Sequence, residues 1–343
     1  MESATRYHPS PDQLALASTI EESLAPLLPV SRLHVSLNED GRTWSNLDEI
    51  GIFGITASEE AGGSGLGAVE EALIAMALGR QLAAPSVLAT MGAAHAAPIA
   101  GSGAGAAAGA AGLTGRSTPA ARIAAGLQRG DRTVVVEDDA ADFVLVRAPA
   151  AAAIYATGSV ARGSVSTAAA SRPLDSRLWL ADLSEYVSLG EPVAGFDDAR
   201  LLRLRLIDAA ALAGIAAAAL DMGVSYAGTR EQFGRPIGSF QAVKHHCANM
   251  AISASCARDQ VSFAAVAVDD KRGDAALQTE CALWVAGSAA LENAGKNIQI
   301  HGGIGFSDEA DPHLLLKRAQ LLIALAGGLE AANRRVAEAG SWQ

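Results

Sequence analysis

A mainly α-helical protein with a small β region in its middle is the fold class this sequence predicts. Three observations carry that reading. Hydrophobic residues make up 50% of the chain but aromatics only 4%, and alanine, a strong helix former, supplies much of the difference. Long segments with apolar residues at helical spacing occupy both ends of the chain. Between them lie short runs rich in β-branched residues, separated by Gly, Ser and Asp. A chain of 343 residues has room for two or three domains and a large core. We divide it into an N-terminal helical domain (residues 1–115), a reduced β domain (116–195) and a C-terminal antiparallel four-helix bundle (196–343).

Taken in order, residues 1–10 read as a disordered arm. From Pro11 to Pro29, Leu14, Leu16, Ile20, Leu24 and Leu27 keep roughly helical spacing. Leu47, Ile50, Ile52 and Phe53 open a second apolar group, and Gly51 to Gly67 is a glycine-rich loop with an acidic pair, Glu59–Glu60. A helix is predicted over Ala68–Leu82, with Leu73, Met76, Ala77 and Leu78 on its apolar side. Glu70 and Glu71 sit at its positive N-terminal end, where they read as solvated or capping residues. Residues 92–126 are Ala/Gly-rich, open between loose helices and a flexible connection. Arg132–Glu137 and Phe143–Val146 read as short strands, with Ala152–Tyr155 and Leu178–Leu180 as weaker strand candidates.

After Val193 the pattern is helical again. Leu201–Met222 alternates small and large apolar residues within a segment that runs on to Thr229. Gly234, Pro236 and Gly238 then break the helix, and Ser239 is placed to cap the next one. Phe240–Asp269 follows, with Val243, Cys247, Met250, Ile252, Val261 and Phe263 as core candidates. Ala275–Ile300 and Pro312–Glu338 complete four long helices with short loops, the pattern of an antiparallel bundle.

The formal net charge of −11 argues against nucleic acid or an anionic membrane as the main partner. Cys247, Cys256 and Cys281 lie in helical segments without metal-ligand spacing, so they read as small buried residues and no metal site is expected. The N-terminus carries Glu2, Arg6 and His8 and no apolar core run. The longest apolar run, Ala209–Leu220, is bounded by Asp208 and Asp221 and is too short to span a bilayer. The expectation is a cytoplasmic protein.

Two strings carry the chemistry. The first runs from Tyr226 to His245 and contains Arg-x-Gln-Phe-Gly-x-Pro-x-x-x-Phe-Gln, beginning at Arg230. Arg230 offers a planar fork of donors suited to a pyrophosphate or carboxylate. The Gln241 amide and the free N–H groups of a new helix suit the same anion. A surface ion pair from Arg230 to Glu231 or Asp221 is the alternative. The second string is Gln299-Ile-His-Gly-Gly-Ile-Gly-Phe306. Gly302 and Gly303 remove Cβ atoms where a ligand or backbone comes close. This string follows a helix rather than a strand, which excludes a Rossmann turn.

Together the strings resemble the acyl-CoA dehydrogenase family closely, and the Gly51–Gly67 loop adds to the likeness, with Ala57 and Ser58 where proline is usual. The resemblance implies an FAD cofactor whose ADP half is held mainly by the neighbouring subunit. Arg230 would pair with the pyrophosphate, and Phe233, Gln241, Gln299, Gly302 and Gly303 would line the rest. It also implies an acyl-CoA substrate, an electron acceptor such as an electron-transfer flavoprotein, and an oligomer.

The sequence departs from the family in two places. The Thr-Glu-Pro-x-x-Gly-Ser string that binds the flavin ring has no counterpart between Thr90 and Val136. The carboxylate that removes the substrate α-proton would fall at Ala326 or at Leu204, and neither is acidic. Glu330, about one turn beyond Ala326, and Asp208, about one turn beyond Leu204, are candidates for a displaced base. Against them stand plainer roles, a solvated helix residue and a helix N-cap. His301 reads as a hydrogen-bonding group for ribose or phosphate. Some bacterial members acting on steroid side chains are α2β2 heterotetramers in which one subunit is shortened, and this chain resembles that type. Three readings therefore stand: a subunit active only with a second acyl-CoA dehydrogenase subunit, a self-sufficient homotetramer with a relocated base, and a non-catalytic scaffold.

Overall fold

The computed structural model describes residues 7–36, 38–61, 63–98, 120–129, 132–136, 140–156, 180–182 and 191–339. The N-terminal part is helical. α1 (Pro11–Leu27) starts with a capping box in which Ser10 accepts from Gln13 N, and α2 (Gly41–Ile50) starts at Asp40, which accepts from Thr43 N. α3 (Ala68–Arg80) and α4 (Pro85–Ala93) follow. The expected helix to Leu82 stops early, because Leu82 itself takes a left-handed φ of 51°. α4 was not expected from the sequence. Its residues are buried throughout, so no polar face marks a helical period. Tyr7, expected in a loose arm, stacks on Phe263 at 5.7 Å.

The middle part is a seven-stranded sheet in the order β1-β7-β5-β4-β2-β3-β6. Its strands are β1 (Ala97–Pro98), β2 (Ile123–Arg129), β3 (Arg132–Val136), β4 (Phe143–Ala148), β5 (Ala151–Ala156), β6 (Leu180–Asp182) and β7 (Ala194–Gly195). Pairing is antiparallel except between β2 and β4. β2 begins inside the Ala/Gly-rich stretch left open by the sequence. It is a strand because β3 and β4 flank it, a tertiary choice that overrides local propensity. β6 takes in Leu180, the end of the candidate strand Leu178–Leu180; 178–179, like 99–119 of the Ala/Gly-rich stretch, lie outside the described residues.

The bundle begins with α5 (Asp198–Thr229), capped by Asp197. After a hairpin of β8 (Glu231–Gln232) and β9 (Arg235–Pro236) come α6 (Gln241–Asp269) and α7 (Ala275–His301). The expected fourth helix is two: α8 (Pro312–Leu325) and α9 (Leu329–Ala339). Gly327 and Gly328, at φ 93° and 92°, break it. The helix after the hairpin is not capped by Ser239, which lies in a 3₁₀ turn; Phe240 occupies the N-cap without a side-chain cap. Ile252 is 63% exposed, against its expected core place. Cys256 is likewise exposed and Cys247 and Cys281 half-buried, where burial pushes both thiols up.

α5 is the axis of the molecule. Among the described residues it is the one helix long and apolar enough to cross a membrane, and it lies mostly buried. Alanine permits this close packing. A Cβ on Gly214 would sit 2.0 Å from Met76 O, and one on Gly79 2.0 Å from Ala211 O, so α3 and α5 meet backbone to backbone. That contact joins the N-terminal domain to the bundle in one continuous core. The carboxylate of Asp269 reaches back from α6 to accept from Ala68 N at 2.6 Å, capping α3 across the same boundary.

Candidate functional site

α5 and α7 run parallel, so both sequence strings arrive at one end of the bundle. A polar stripe on α7 sets their register. Asn293, fully buried, donates its Nδ2 to Ala216 O at 3.0 Å and Met250 O at 2.9 Å, tying α7 to α5 and α6. One turn on, Asn297 donates to Met222 Sδ at 3.2 Å. One turn further, His301 donates Nδ1–H to Asn297 O at 2.8 Å and stacks on Tyr226 with ring centroids 4.0 Å apart. With Nδ1 so engaged, the other ring nitrogen is left for a ligand.

At the mouth of this stripe α5 ends at Arg230, whose backbone N–H closes on Tyr226 O. The Arg230 side chain is exposed and has no hydrogen bond or ion pair among the described residues. The alternative pairing fails for Asp221, which binds Arg80 at 2.7 Å. Phe233 and Gly234 form the two-residue hairpin turn, both with positive φ (54° and 75°), as a primed turn requires. Phe233 is 92% exposed and meets Phe240 edge-on at 6.1 Å, while Arg235 lies over the Phe240 ring at 4.3 Å. Gln241 opens α6, exposed, among uncapped N–H groups. On the other helix Gln299, Gly302 and Gly303 are all exposed. Gly302 closes α7 at φ 67°, ψ −144°, a conformation open only to glycine, and a Cβ at either glycine would meet nothing within 4 Å. Ile304 (52%) and Phe306 (74%) are exposed beside them. All six residues expected to hold a cofactor thus face outward, on an open rim with apolar neighbours.

The positions matched to the family's catalytic carboxylate lie elsewhere. Leu204 on α5 and Ala326 after α8 line the same cavity between sheet and bundle, about 30 Å³ in volume. That volume holds about two waters. Asp208 lines it too. It is no helix cap: it lies mid-helix, 2% exposed, in a short ion pair with Arg147 of β4. Burial pushes its carboxyl up, while Arg147 and then Arg205 pull it down. Arg205 pairs with Glu280 at 2.8 Å, which also holds Arg335 of α9 at 2.7 Å. Glu330 is exposed at the start of α9 and is not among the residues lining the cavity. A second buried cluster corrects the reading of Glu71. It is 1% exposed and binds His95 at 2.7 Å and Arg203 at 2.8 Å, whereas Glu70 does cap, accepting from Gly67 N.

Tyr226, Asn293, Asn297 and Arg147 escaped the sequence reading. Three of the residues involved share a signal: Asn293, Asn297 and His301 recur every four residues in an otherwise apolar helix, a buried polar stripe. Arg147 had none, since its partner lies 61 residues away. Among the described residues no group of three His, Cys, Asp or Glu side chains is placed to hold a metal.

Comparison with known proteins identifies the fold. The acyl-CoA dehydrogenase N-terminal domain model matches residues 10–106 and the C-terminal domain model residues 196–340. Acyl-CoA dehydrogenase IpdE2 of Mycobacterium tuberculosis is 31% identical over 314 residues, 89% of this chain and 88% of that protein. Acyl-CoA dehydrogenase FadE34 of the same organism is 47% identical over 132 residues, 37% of this chain but 18% of that longer protein. The ChsE4-ChsE5 complex from M. tuberculosis superposes with a TM-score of 0.71 at 23% identity, covering 98% of this chain and 99% of that one. Acyl-CoA dehydrogenases are FAD-dependent, and the unpaired Arg230 and Cβ-free Gly302–Gly303 rim fit the anionic, ADP side of that cofactor. The 30 Å³ cavity between sheet and bundle does not fit its ring. On its domain matches and its near full-length relative, the chain belongs to the acyl-CoA dehydrogenase family.

Proposed function

We propose that this chain is the subunit without a catalytic base in a heteromeric, FAD-dependent acyl-CoA dehydrogenase. One contrast carries the reading. Arg230, Phe233, Gln241, Gln299, Gly302 and Gly303 are all exposed at the bundle end, while both base positions, Leu204 and Ala326, line a cavity of about 30 Å³ beside the Arg147–Asp208 pair. The first set serves a cofactor seated mainly in another chain, and the second leaves no carboxylate free to take a proton.

When bound, FAD supplies the hydride acceptor. This chain's part is to hold and orient it. Arg230 meets an anionic oxygen with a charge-assisted, bidentate contact. The His301 ring, fixed by Asn297 and Tyr226, offers its free nitrogen beside it. Phe233 covers an apolar surface of the partner. The substrate is an acyl-CoA, taken to be bulky from the shortened subunit class, the proton-abstracting carboxylate belongs to a second acyl-CoA dehydrogenase subunit, and electrons leave to an acceptor such as an electron-transfer flavoprotein in the cytoplasm. The ChsE4-ChsE5 complex supports a two-chain arrangement on this fold.

Asp208 as a relocated base is the second reading, favoured by its place in the cavity shared with Leu204 and Ala326. Arg147 opposes it, because the carboxylate is committed to a buried ion pair and is not free to turn to a substrate. The absorbance spectrum of the chain purified alone separates the two. Colourless protein that gains the flavin band on co-expression with a neighbouring dehydrogenase subunit supports the shared site. A flavin band near one equivalent in the isolated chain refutes it.

A further inference from the structure

A second cleft, of about 710 Å³, opens on the far side of α5 from the sheet, between α1, α3, α5 and α6. Its origin is legible. α1 buries only Leu24, and Leu14 stands 51% exposed over the cleft. The floor beneath is made of small residues, among them Ala77, Ala213, Gly214, Ala217 and Ala254. Such a floor ordinarily lets helices close up. Here it is held open. Arg80 braces three helices at one end, binding Glu21 of α1 at 2.6 Å and Asp221 of α5 at 2.7 Å. Beyond Ser262, Tyr7 stacks on Phe263, and Arg272 lies 4.7 Å over that ring.

The lining chemistry selects a ligand class. Ser262 lines the cleft, and its hydroxyl, which has no hydrogen-bond partner among the described residues, opens into the cleft rather than being sealed in the core. A hydroxyl that faces a cleft without a protein partner is free to exchange its water for a ligand's hydroxyl or carbonyl. The arginines of the lining are paired, Arg80 with Glu21 and Asp221 and Arg258 with Asp259 at 3.1 Å, and His8 is the remaining titratable base on the rim. Three carboxylates against two guanidinia leave no surplus arginine for an acid or a phosphate. We propose that this cleft binds an uncharged, largely aliphatic small molecule through one hydroxyl or carbonyl group that meets Ser262. The volume lies within the range of about 300–1,000 Å³ common for small-molecule sites, and the place, between two domains, is a usual one. The proposal does not depend on the flavin site at the bundle end.

The test uses the full chain, free of flavin, with the uncharged fluorescent dye Nile red as reporter and decanol and decanoate as competitors. One dye should bind per chain, and decanol should displace it at least about tenfold better than decanoate, because the acid must bury a charge among paired arginines. Ser262→Ala should weaken decanol about three- to tenfold. Ala217→Phe fills the cleft and should abolish the dye signal. Should that variant fail to fold, Ala251→Trp, on an exposed lining position, carries the same test. Wild-type dye binding in a folded filled-cleft variant, with loss in Phe233→Ser instead, overturns the proposal. Equal displacement by decanol and decanoate overturns it as well.

Discussion

Removing Arg147 should cost more than removing Arg147 and Asp208 together. The pair is buried, with Arg147 9% and Asp208 2% exposed. Arg147→Met leaves a carboxylate in the cavity without its hydrogen-bonded partner. Stranding a buried charge costs about 3–5 kcal/mol. Arg205 also attracts Asp208, so we place the loss at the lower end, about 3 kcal/mol. Arg147→Met/Asp208→Leu removes both charges and fills the space with apolar atoms, and should fall within about 1 kcal/mol of wild type or exceed it. The assay is a urea titration of the four proteins of the cycle, followed by circular dichroism and by tryptophan fluorescence so that domain-wise unfolding is seen. A coupling energy of about 2 kcal/mol or more is expected. A single variant within about 0.5 kcal/mol of wild type, or a double variant as unstable as the single, would refute the picture of a buried ion pair lining this cavity.

Four further outcomes follow from the same structure. Arg230→Ala should leave the melting midpoint of the isolated chain unchanged, yet weaken flavin retention in the two-chain complex by about ten- to a hundredfold, read by flavin fluorescence in filtrates. Gly214→Ala drives a methyl into Met76 O and should destabilise the chain by about 3 kcal/mol, while Gly295→Ala, with nothing within 4 Å of its Cβ, should stabilise slightly. Asn293→Leu removes two buried hydrogen bonds and should cost about 2 kcal/mol, measured by thermal melts beside the isosteric Asn293→Asp. The Asp208 carboxyl is raised above its ordinary 3.8 in the folded chain, so the folded state holds that proton more tightly than the unfolded one. Its contribution to stability therefore falls as pH rises from 3.8 through the folded value. Asp208→Asn should flatten that slope, and a difference curve of opposite sign would count against the assignment.

The bundle was legible because its helices are long and their breaks are chemically marked, as Gly234, Pro236 and Gly238 show. The glycines of the bundle-end rim were legible for a related reason: the backbone at Gly302 and Gly234, with positive φ, leaves few residue choices. What lay hidden was decided by distance. α4 is apolar on every side, so periodicity had nothing to detect. β2 is a strand only because two neighbours pair with it. Asp208 was read from its neighbours in sequence as a cap, whereas its role is set by Arg147 on a sheet strand. Gly327–Gly328 was passed over because a helical pattern continues on both sides of it.

The primed turn that lifts Phe233 into solvent bears on how the chain fares before it finds company. Phe233, Ile304 and Phe306 stand 92%, 52% and 74% exposed, an apolar rim of the kind that chaperones and proteases grip. If the proposed partner subunit covers this rim, a copy made in excess of it would advertise its orphan state through these residues. On the proposed two-chain assembly, surplus copies of this chain would be the ones degraded, and its half-life should lengthen as a partner subunit accumulates.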